Sequence, residues 1–228
     1  MSLAALIFDL DGTLAETEEA HRTAFNAAFA ARGMAWHWTP EVYRALLATT
    51  GGKERIAAHA ACIGEVLTPD AIAALHADKT ARYGALIAAG ELPLRPGVAD
   101  LVAAARAAGL RLAVATTTSR PNVEALTQAA WGRPAAEVFD VIAAGDEVAL
   151  KKPAPDVYLL ALDRLGVAPG KALALEDSRN GLLSARAAGL RVLVTPSLYT
   201  DHEDHEGADW VVPSLAAAHL PEVLARLV

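Results

Sequence analysis

Short, largely apolar runs alternate along this chain with longer stretches whose apolar residues recur at helical spacing. The runs at 3–8, 110–115, 138–143, 172–175, 191–195 and 210–212 have strand length and are rich in Val, Ile or Leu on both faces. Strands of a parallel sheet, buried on both sides, carry that signature. Between them, 98–108, 122–130, 156–165, 181–188 and 215–227 read as helices. Gly109, Gly166 and Gly189 close three of them where a left-handed residue is wanted. The rhythm predicts an α/β fold, a parallel sheet covered on both sides by helices.

The stretch from Thr17 to Ala89 breaks this rhythm. It has no strand-like run and offers helices at 18–32, 40–48, 54–62 and 69–88, separated by Gly33, the Gly51-Gly52 pair and residues 64–68. Its many alanines favour helix. A helical bundle inserted after the first strand is the simplest account, with 92–96 as the return linker. The expected division is a core of 1–15 and 92–228 around an insertion of 16–91.

Composition narrows the class. At 228 residues, 54% hydrophobic and 21% charged, the chain can bury a real core and is not disordered. Its 20 Lys+Arg against 27 Asp+Glu, net −7, argue against nucleic-acid or anionic-membrane partners. A lone cysteine, Cys62, excludes an internal disulfide and a multi-Cys zinc site and suits a reducing compartment. No stretch reaches the roughly 18 apolar residues a bilayer needs. The apolar N-terminus lacks a basic segment and runs into Asp9 and Asp11, unlike a secretory signal. A cytoplasmic, monomeric protein acting on a small molecule is expected.

In open α/β sheets, ligands sit beyond the carboxyl ends of the strands. The first strand ends in Asp9-Leu10-Asp11-Gly12-Thr13. Extended chain puts Asp9 and Asp11 on one side, and Gly12 lets the chain turn at once. Two carboxylates so close repel unless a cation or shared proton lies between them; Asp11 also suits the plainer role of capping the turn. The fourth strand ends in Glu176-Asp177, followed by Ser178-Arg179-Asn180-Gly181 and a helix. Asp177 or Ser178 would serve as an N-cap, yet one cap suffices. Together the two acidic pairs offer the hard oxygens Mg²⁺ prefers.

The second strand ends in Thr116-Thr117-Thr118-Ser119-Arg120 ahead of a helix. Hydroxyls and free N–H groups there make an anion site, or Ser119 simply caps the helix. Lys151-Lys152-Pro153-Ala154-Pro155-Asp156 follows the third strand. Its prolines stiffen the segment and fix the direction of Lys152, although a loop lysine is ordinarily solvated.

Asp9-x-Asp11-Gly12-Thr13, Thr116, Lys152-Pro153 and Glu176-Asp177 match, in order and spacing, the four motifs of the haloacid dehalogenase-like phosphatase superfamily. The resemblance covers the whole chain. It implies a Rossmannoid core with a helical cap inserted after the first motif, as in relatives of β-phosphoglucomutase. It also implies that Asp9 is a nucleophile forming an aspartyl-phosphate. Asp11 would be general acid and then base, giving its backbone carbonyl to Mg²⁺. Thr116 and Lys152 would hold the transferring phosphoryl group, and Asp177, with Glu176 directly or through water, would complete the metal site.

A chain of net charge −7 that binds phosphate esters must gather positive charge locally. Gly51-Gly52-Lys53-Glu54-Arg55 sets glycines ahead of a helix start bearing two cations, a candidate clamp for a distal phosphate. Lys79, Arg82 and Arg120 are candidates to add to it, though each also fits a solvated position. Glu16, Glu18 and His21 stand at the hinge into the insertion as candidates to meet sugar hydroxyls; His21 fits packing equally well. Thr117, Thr118, Ser119 and Asn180 complete the candidate contacts.

Residues 51–56, 116–120 and 151–158 most resemble the CbbY-type phosphatases of carbon-fixation operons. That resemblance implies hydrolysis of the 1-phosphate of xylulose-1,5-bisphosphate, a Rubisco inhibitor. β-Phosphoglucomutases differ at Lys53 and at Ser119-Arg120, but His21 and Lys79 match residues they use, so a phosphosugar mutase is the alternative. A signalling receiver also pairs a phosphoacceptor Asp with an acidic metal site, but it is about half this length and lacks an insertion. Asp201-His202-Glu203-Asp204-His205-Glu206 resembles a metal cluster; without cysteine support it is expected to be a solvated, mobile loop. Trp36, Trp38, Trp131 and Trp210 are expected to pack rather than to stack on bases.

Overall fold

A computed structural model describes residues 3–90 and 92–228. Met1, Ser2 and Glu91, the outer limits of two of the expected segments, lie outside the described residues. Six strands, β1 (Ala5–Phe8), β2 (Arg111–Ala115), β3 (Val141–Ala143), β4 (Ala172–Glu176), β5 (Arg191–Val194) and β6 (Trp210–Val211), form one sheet. Its order is β3-β2-β1-β4-β5-β6, and every neighbouring pair is parallel. This is the expected Rossmannoid α/β fold.

Alternation along the strands sorts the core by size. Leu6, Phe8, Leu112, Val114, Leu173 and Leu175 fill one face and meet α5 (Val98–Ala107), α6 (Arg120–Trp131) and α10 (Glu222–Ala225). Ala5, Ile7, Ala113, Ala115, Ala172 and Ala174 line the other, where small side chains let α8 (Asp156–Leu165) and α9 (Arg179–Ala187) approach closely. Gly166, at φ 63°, ends α8 in the left-handed conformation anticipated for it.

Two stretches fold otherwise than their apolar pattern predicts. Residues 138–143 were expected as strand throughout, but Ala135–Val138 forms a short helix, α7, and only Val141–Ala143 pairs. A short apolar run buries equally well in either conformation, and Val138 joins the core from its helix. Residues 215–227 do not form one helix: a 3₁₀ turn at Ala217–His219 and then α10 replace it. Pro221 lacks the N–H that a continuous helix would need there.

Between β1 and α5 lie α1 (Glu18–Ala31), α2 (Pro40–Leu46), α3 (Gly52–Cys62) and α4 (Pro69–Ala89), with no sheet strand among the described residues there. Thr39 and Thr68 cap α2 and α4 through bonds to Val42 N–H and Ala71 N–H, each with a proline in the first turn. These helices bury an apolar cluster of their own, with Phe25, Phe29, Trp36, Trp38 and Tyr43 at its centre. Trp131 and Trp210 pack against the sheet's core. All four tryptophans are packing residues, as expected. Among the described residues no helix is long and apolar enough to cross a membrane.

Both chain crossings between sheet and insertion are riveted by Arg95, which the sequence did not single out. Its guanidinium donates to the carbonyls of Gly12, Thr195 (2.7 Å) and Pro196 (2.7 Å) and pairs with Glu16 at 3.1 Å.

Candidate active site

Phe8 of β1 pairs with Val114 of β2 and Leu175 of β4, so the three strands end nearly level. The next steps of the chain deliver Asp9, Thr116, Glu176 and Asp177 to one edge. Asp9 N–H donates to Leu175 O at 2.9 Å, which fixes the nucleophile candidate against β4. One oxygen from each of Asp9, Glu176 and Asp177 lies within 4.8 Å of the other two, and all three residues are buried. Two glycines make room for them. A Cβ at Gly12 would stand 2.1 Å from Asp177 Oδ2, and one at Gly181 1.9 Å from Glu176 Oε2.

Lys152 reaches this cluster from the loop before α8. Its Nζ donates to Asp9 Oδ1 and Glu176 Oε1, both at 2.6 Å. One ammonium still leaves three buried carboxylates short of positive charge. Burial pushes Asp9 up to about 8 against the pull of Lys152, with Glu176 and Asp11 adding repulsion. Burial, then Asp9 and Glu176, drive Asp177 well above the carboxylate range. Lys152, desolvated but flanked by Asp9 and Glu176, is raised above the usual lysine value and stays charged. Clustered hard oxygens lacking one positive partner fit a divalent cation.

Asp11 faces away from the cluster. Its Oδ1 accepts from Thr17 Oγ1 at 2.6 Å and lies 3.0 Å from His21 Nε2, whose Nδ1 is 2.7 Å from Lys79 Nζ. With Lys79 protonated, Nδ1 accepts and the Nε2 proton points at Asp11. Burial alone would raise Asp11, but His21, Thr17 and Lys79 outweigh it and hold the carboxyl below its usual value. His21 stacks on Tyr83 at 4.0 Å between ring centres, so it both packs and bonds.

Thr116 N–H donates to Ala143 O at 3.1 Å, and its Oγ1 accepts from Thr118 N–H at 3.2 Å, which leaves the hydroxyl proton free. Gly145 braces this loop from β3: its N–H donates to Thr118 O at 2.8 Å, and a Cβ there would stand 2.1 Å from Thr117 O. Lys151 donates in turn to the Gly145 carbonyl. Ser119 does not cap α6; its hydroxyl is buried without a partner.

A cavity of about 770 Å³ separates this edge from the inserted helices. Asp9, Asp11, Thr116 and Lys152 line it, and so do Thr117, Thr118 and Ser119. From the insertion come Glu18, His21, Gly52, Lys53, Arg55 and Lys79, and from the start of α9 Asn180. Lys53 is exposed toward the cavity, but Arg55 is buried and committed. Its guanidinium donates to Tyr43 Oη (3.0 Å) and to the carbonyls of Leu46 (3.2 Å) and Thr49 (3.3 Å), so it shapes the 46–51 loop. The Tyr43 hydroxyl in turn donates to Glu18 Oε2 at 2.7 Å.

Three candidates lie elsewhere. Glu16 does not line the cavity: it pairs with Arg95 and accepts from Leu198 N–H at 3.3 Å. Arg120 is exposed, 4.0 Å from Glu147, and also outside the cavity lining. Arg82 pairs with Asp78 at 2.8 Å. The 201–206 segment is tied down rather than free: Asp201 pairs with Arg44 at 3.1 Å, and Arg179 donates to the carbonyls of Asp204 (3.1 Å) and Glu206 (2.8 Å). Among the described residues neither His202 nor His205 joins a three-ligand cluster.

The sequence missed three site residues. Tyr158 donates to Glu176 Oε1 and lies under the Lys152 ammonium, 5.0 Å from its ring centre, yet in sequence it only closes the 151–158 run as a helix position with no role of its own. Thr200 bonds Asp177 from a loop that carries no motif. His76 lines the cavity opposite Gly52, held neutral near 3 by burial and by Lys79 and Lys53. Its only sequence signal is a position one helical turn before Lys79.

A buried carboxylate cluster with a lysine at the carboxyl edge of a Rossmannoid sheet defines a class, and comparison with known proteins agrees. The chain belongs to the haloacid dehalogenase-like hydrolases, whose family model matches residues 3–189. It is 61% identical over 218 residues to protein CbbY of Rhodobacter capsulatus, covering 96% of each chain. It is 42% identical over 217 residues to a CBBY-like protein of Arabidopsis thaliana, covering 91% of this chain and 68% of that one. The crystal structure of CbbY from Rhodobacter sphaeroides in complex with phosphate superposes with a TM-score of 0.91 at 59% identity, over 94% of this chain and 95% of that one. A mutant of that protein in complex with xylulose-(1,5)bisphosphate gives the same values. β-Phosphoglucomutase from Clostridium difficile, at 19% identity and a TM-score of 0.80, shares the fold.

Proposed function

We propose that this hydrolase removes the 1-phosphate of xylulose-1,5-bisphosphate through a phosphorylated Asp9, with Mg²⁺, and so clears a compound that inhibits Rubisco. The chain is a phosphoric monoester hydrolase; the substrate and the residue roles are the proposal. The observation that carries it is the buried Asp9, bonded to Lys152 beside Glu176 and Asp177, on the floor of a cavity whose roof bears Lys53 and Lys79. The xylulose-bisphosphate complex of a 59% identical relative supports the substrate. We take 1–15 and 92–228 as the catalytic core and 16–91 as a cap.

The chemistry follows from the contacts. An Asp9 carboxylate oxygen attacks phosphorus and the bond to the sugar oxygen breaks; Asp11, ionised at rest by its contacts with His21 and Thr17, must take up a proton before giving it to that oxygen. Water then attacks the phosphorylated Asp9 while Asp11 takes a proton back, releasing inorganic phosphate and restoring Asp9. Lys152, the Thr116 hydroxyl and the Thr117 N–H hold the equatorial oxygens, the N–H groups of Thr116 and Thr118 being bonded within the protein. Mg²⁺, held by Asp9, Asp177, the Asp11 carbonyl and Glu176 directly or through water, would neutralise charge on the transferring group. Lys53 on the exposed wall would bind the distal phosphate.

The His21–Lys79 pair keeps a phosphosugar mutase as the second reading. A phosphate-release panel with Mg²⁺ separates them. Fast release from pentulose bisphosphates and slow release from monophosphates is expected. Isomerisation of glucose 1-phosphate dependent on a bisphosphate primer would establish the mutase instead, and equal rates on monophosphates would remove the distal clamp.

A further inference from the structure

The loop after β5 touches the carboxylate cluster with one side and the inserted helices with the other. Thr200 is 5% exposed, and its hydroxyl lies 2.8 Å from Asp177 O and 3.1 Å from Asp177 Oδ2. Its oxygen accepts from Ser197 N–H at 2.9 Å, with Ser197 Oγ also at 2.9 Å, so the loop itself aims the hydroxyl at Asp177. The residues on either side point the opposite way. Tyr199 Oη donates to Glu19 Oε2 of α1 at 2.6 Å, and the Tyr199 ring meets Tyr43 of α2 edge-on at 5.8 Å. Arg44 of α2 donates to Leu198 O at 2.6 Å and pairs with Asp201.

Consecutive Cα atoms are about 3.8 Å apart, so a shift of the Tyr199 backbone with the inserted helices is felt at Thr200. We propose that this loop couples docking of the inserted helices to the metal seat, with Thr200 as a positioning residue for Asp177 and Tyr199 as the contact that sets Thr200. The inference rests on the reading of Asp9, Glu176 and Asp177 as a divalent-cation site. Coupling of this kind is reciprocal: whatever docks the helices tightens the ion, and the ion favours the docked helices by the same factor.

The test is Mn²⁺ binding by calorimetry to the substrate-free full chain. Thr200→Val, which keeps the shape and loses the hydroxyl, should weaken Mn²⁺ by about tenfold, the effect of one lost hydrogen bond shared between the Asp177 carbonyl and its carboxylate. Thr200→Ser should stay within about twofold of the parent, which separates loss of the bond from loss of the fold. Tyr199→Phe, remote from the cluster, should still weaken Mn²⁺ by about threefold, a neutral-strength loss passed on through the loop. Parent-like affinity in either Thr200→Val or Tyr199→Phe would overturn the coupling. A parent chain that binds no Mn²⁺ would overturn the metal reading itself, which is a different result.

Discussion

Lys79 stands where function and stability pull apart. It is buried between His21 and the faces of Phe25 and Tyr83, and burial, reinforced by Arg55 and opposed by Asp11, draws it down to about 7. A lysine whose folded value lies below its unfolded one costs stability. Between about pH 7 and the ordinary lysine range, the unfolded chain holds a proton the folded chain has shed, so stability climbs with pH across that window. Below it the full cost is present. Lys79→Met removes this dependence. Relative to the parent, the variant's Tm should be most favourable near pH 6 and lose that advantage steadily toward about pH 10. Turnover should fall about tenfold, because His21 loses the donor that sets its tautomer. A Tm difference flat across that range contradicts the assignment. At Tyr158 burial raises the phenol far above its usual value, with Glu176 and Asp9 adding to it, so the hydroxyl is always a donor to Glu176. Tyr158→Phe should lower kcat about tenfold with KM unchanged; a change confined to KM would place Tyr158 at the substrate instead.

At the scale of elements, the site is two loops pressed together. Gly145, after β3, sits so close to Thr117 that a methyl group would overlap its carbonyl, and the same glycine bonds Thr118. Gly145→Ala should push the 116–118 loop off its position. The expected loss in kcat is about 10²-fold, the cost of misplacing a group by an ångström, with inorganic phosphate inhibiting more weakly. Unchanged phosphate inhibition would show that this loop does not hold the phosphoryl group. The strands bearing these loops were legible because an apolar run ending abruptly in Asp, Thr or Glu is a strong local signal. The α7 turn and the broken 215–227 segment were not, because an apolar pattern records burial rather than backbone form. Whether Ser119 caps its helix was left open by the sequence for a related reason: capping depends on a side-chain rotamer that tertiary packing decides, and here the hydroxyl makes no cap bond.

For the whole molecule, legibility followed the origin of each role. Asp9, Thr116, Glu176 and Asp177 stand at strand ends, and knowing the sheet was enough to bring them to one edge, while Lys152 reaches them from the loop before α8. Arg95 and Thr200 owe their roles to segments meeting across long stretches of sequence, and no local pattern marks them; Tyr158 closes the 151–158 run, which does not show that its hydroxyl reaches Glu176. Arg55 and Glu16 show the converse: Arg55 lines the cavity but its guanidinium also holds the 46–51 loop, and Glu16, outside the cavity lining, pairs with Arg95 at the hinge. The account therefore turns on one bond, between Asp9 and phosphorus. Turnover of xylulose-1,5-bisphosphate with Mg²⁺, quenched in acid within the first cycle and mapped by peptide mass spectrometry, tests it most directly. The phosphoryl group should be found on Asp9 and vanish, together with phosphate release, in Asp9→Asn. Full turnover by Asp9→Asn, or a phosphoryl group carried on another residue, would contradict it.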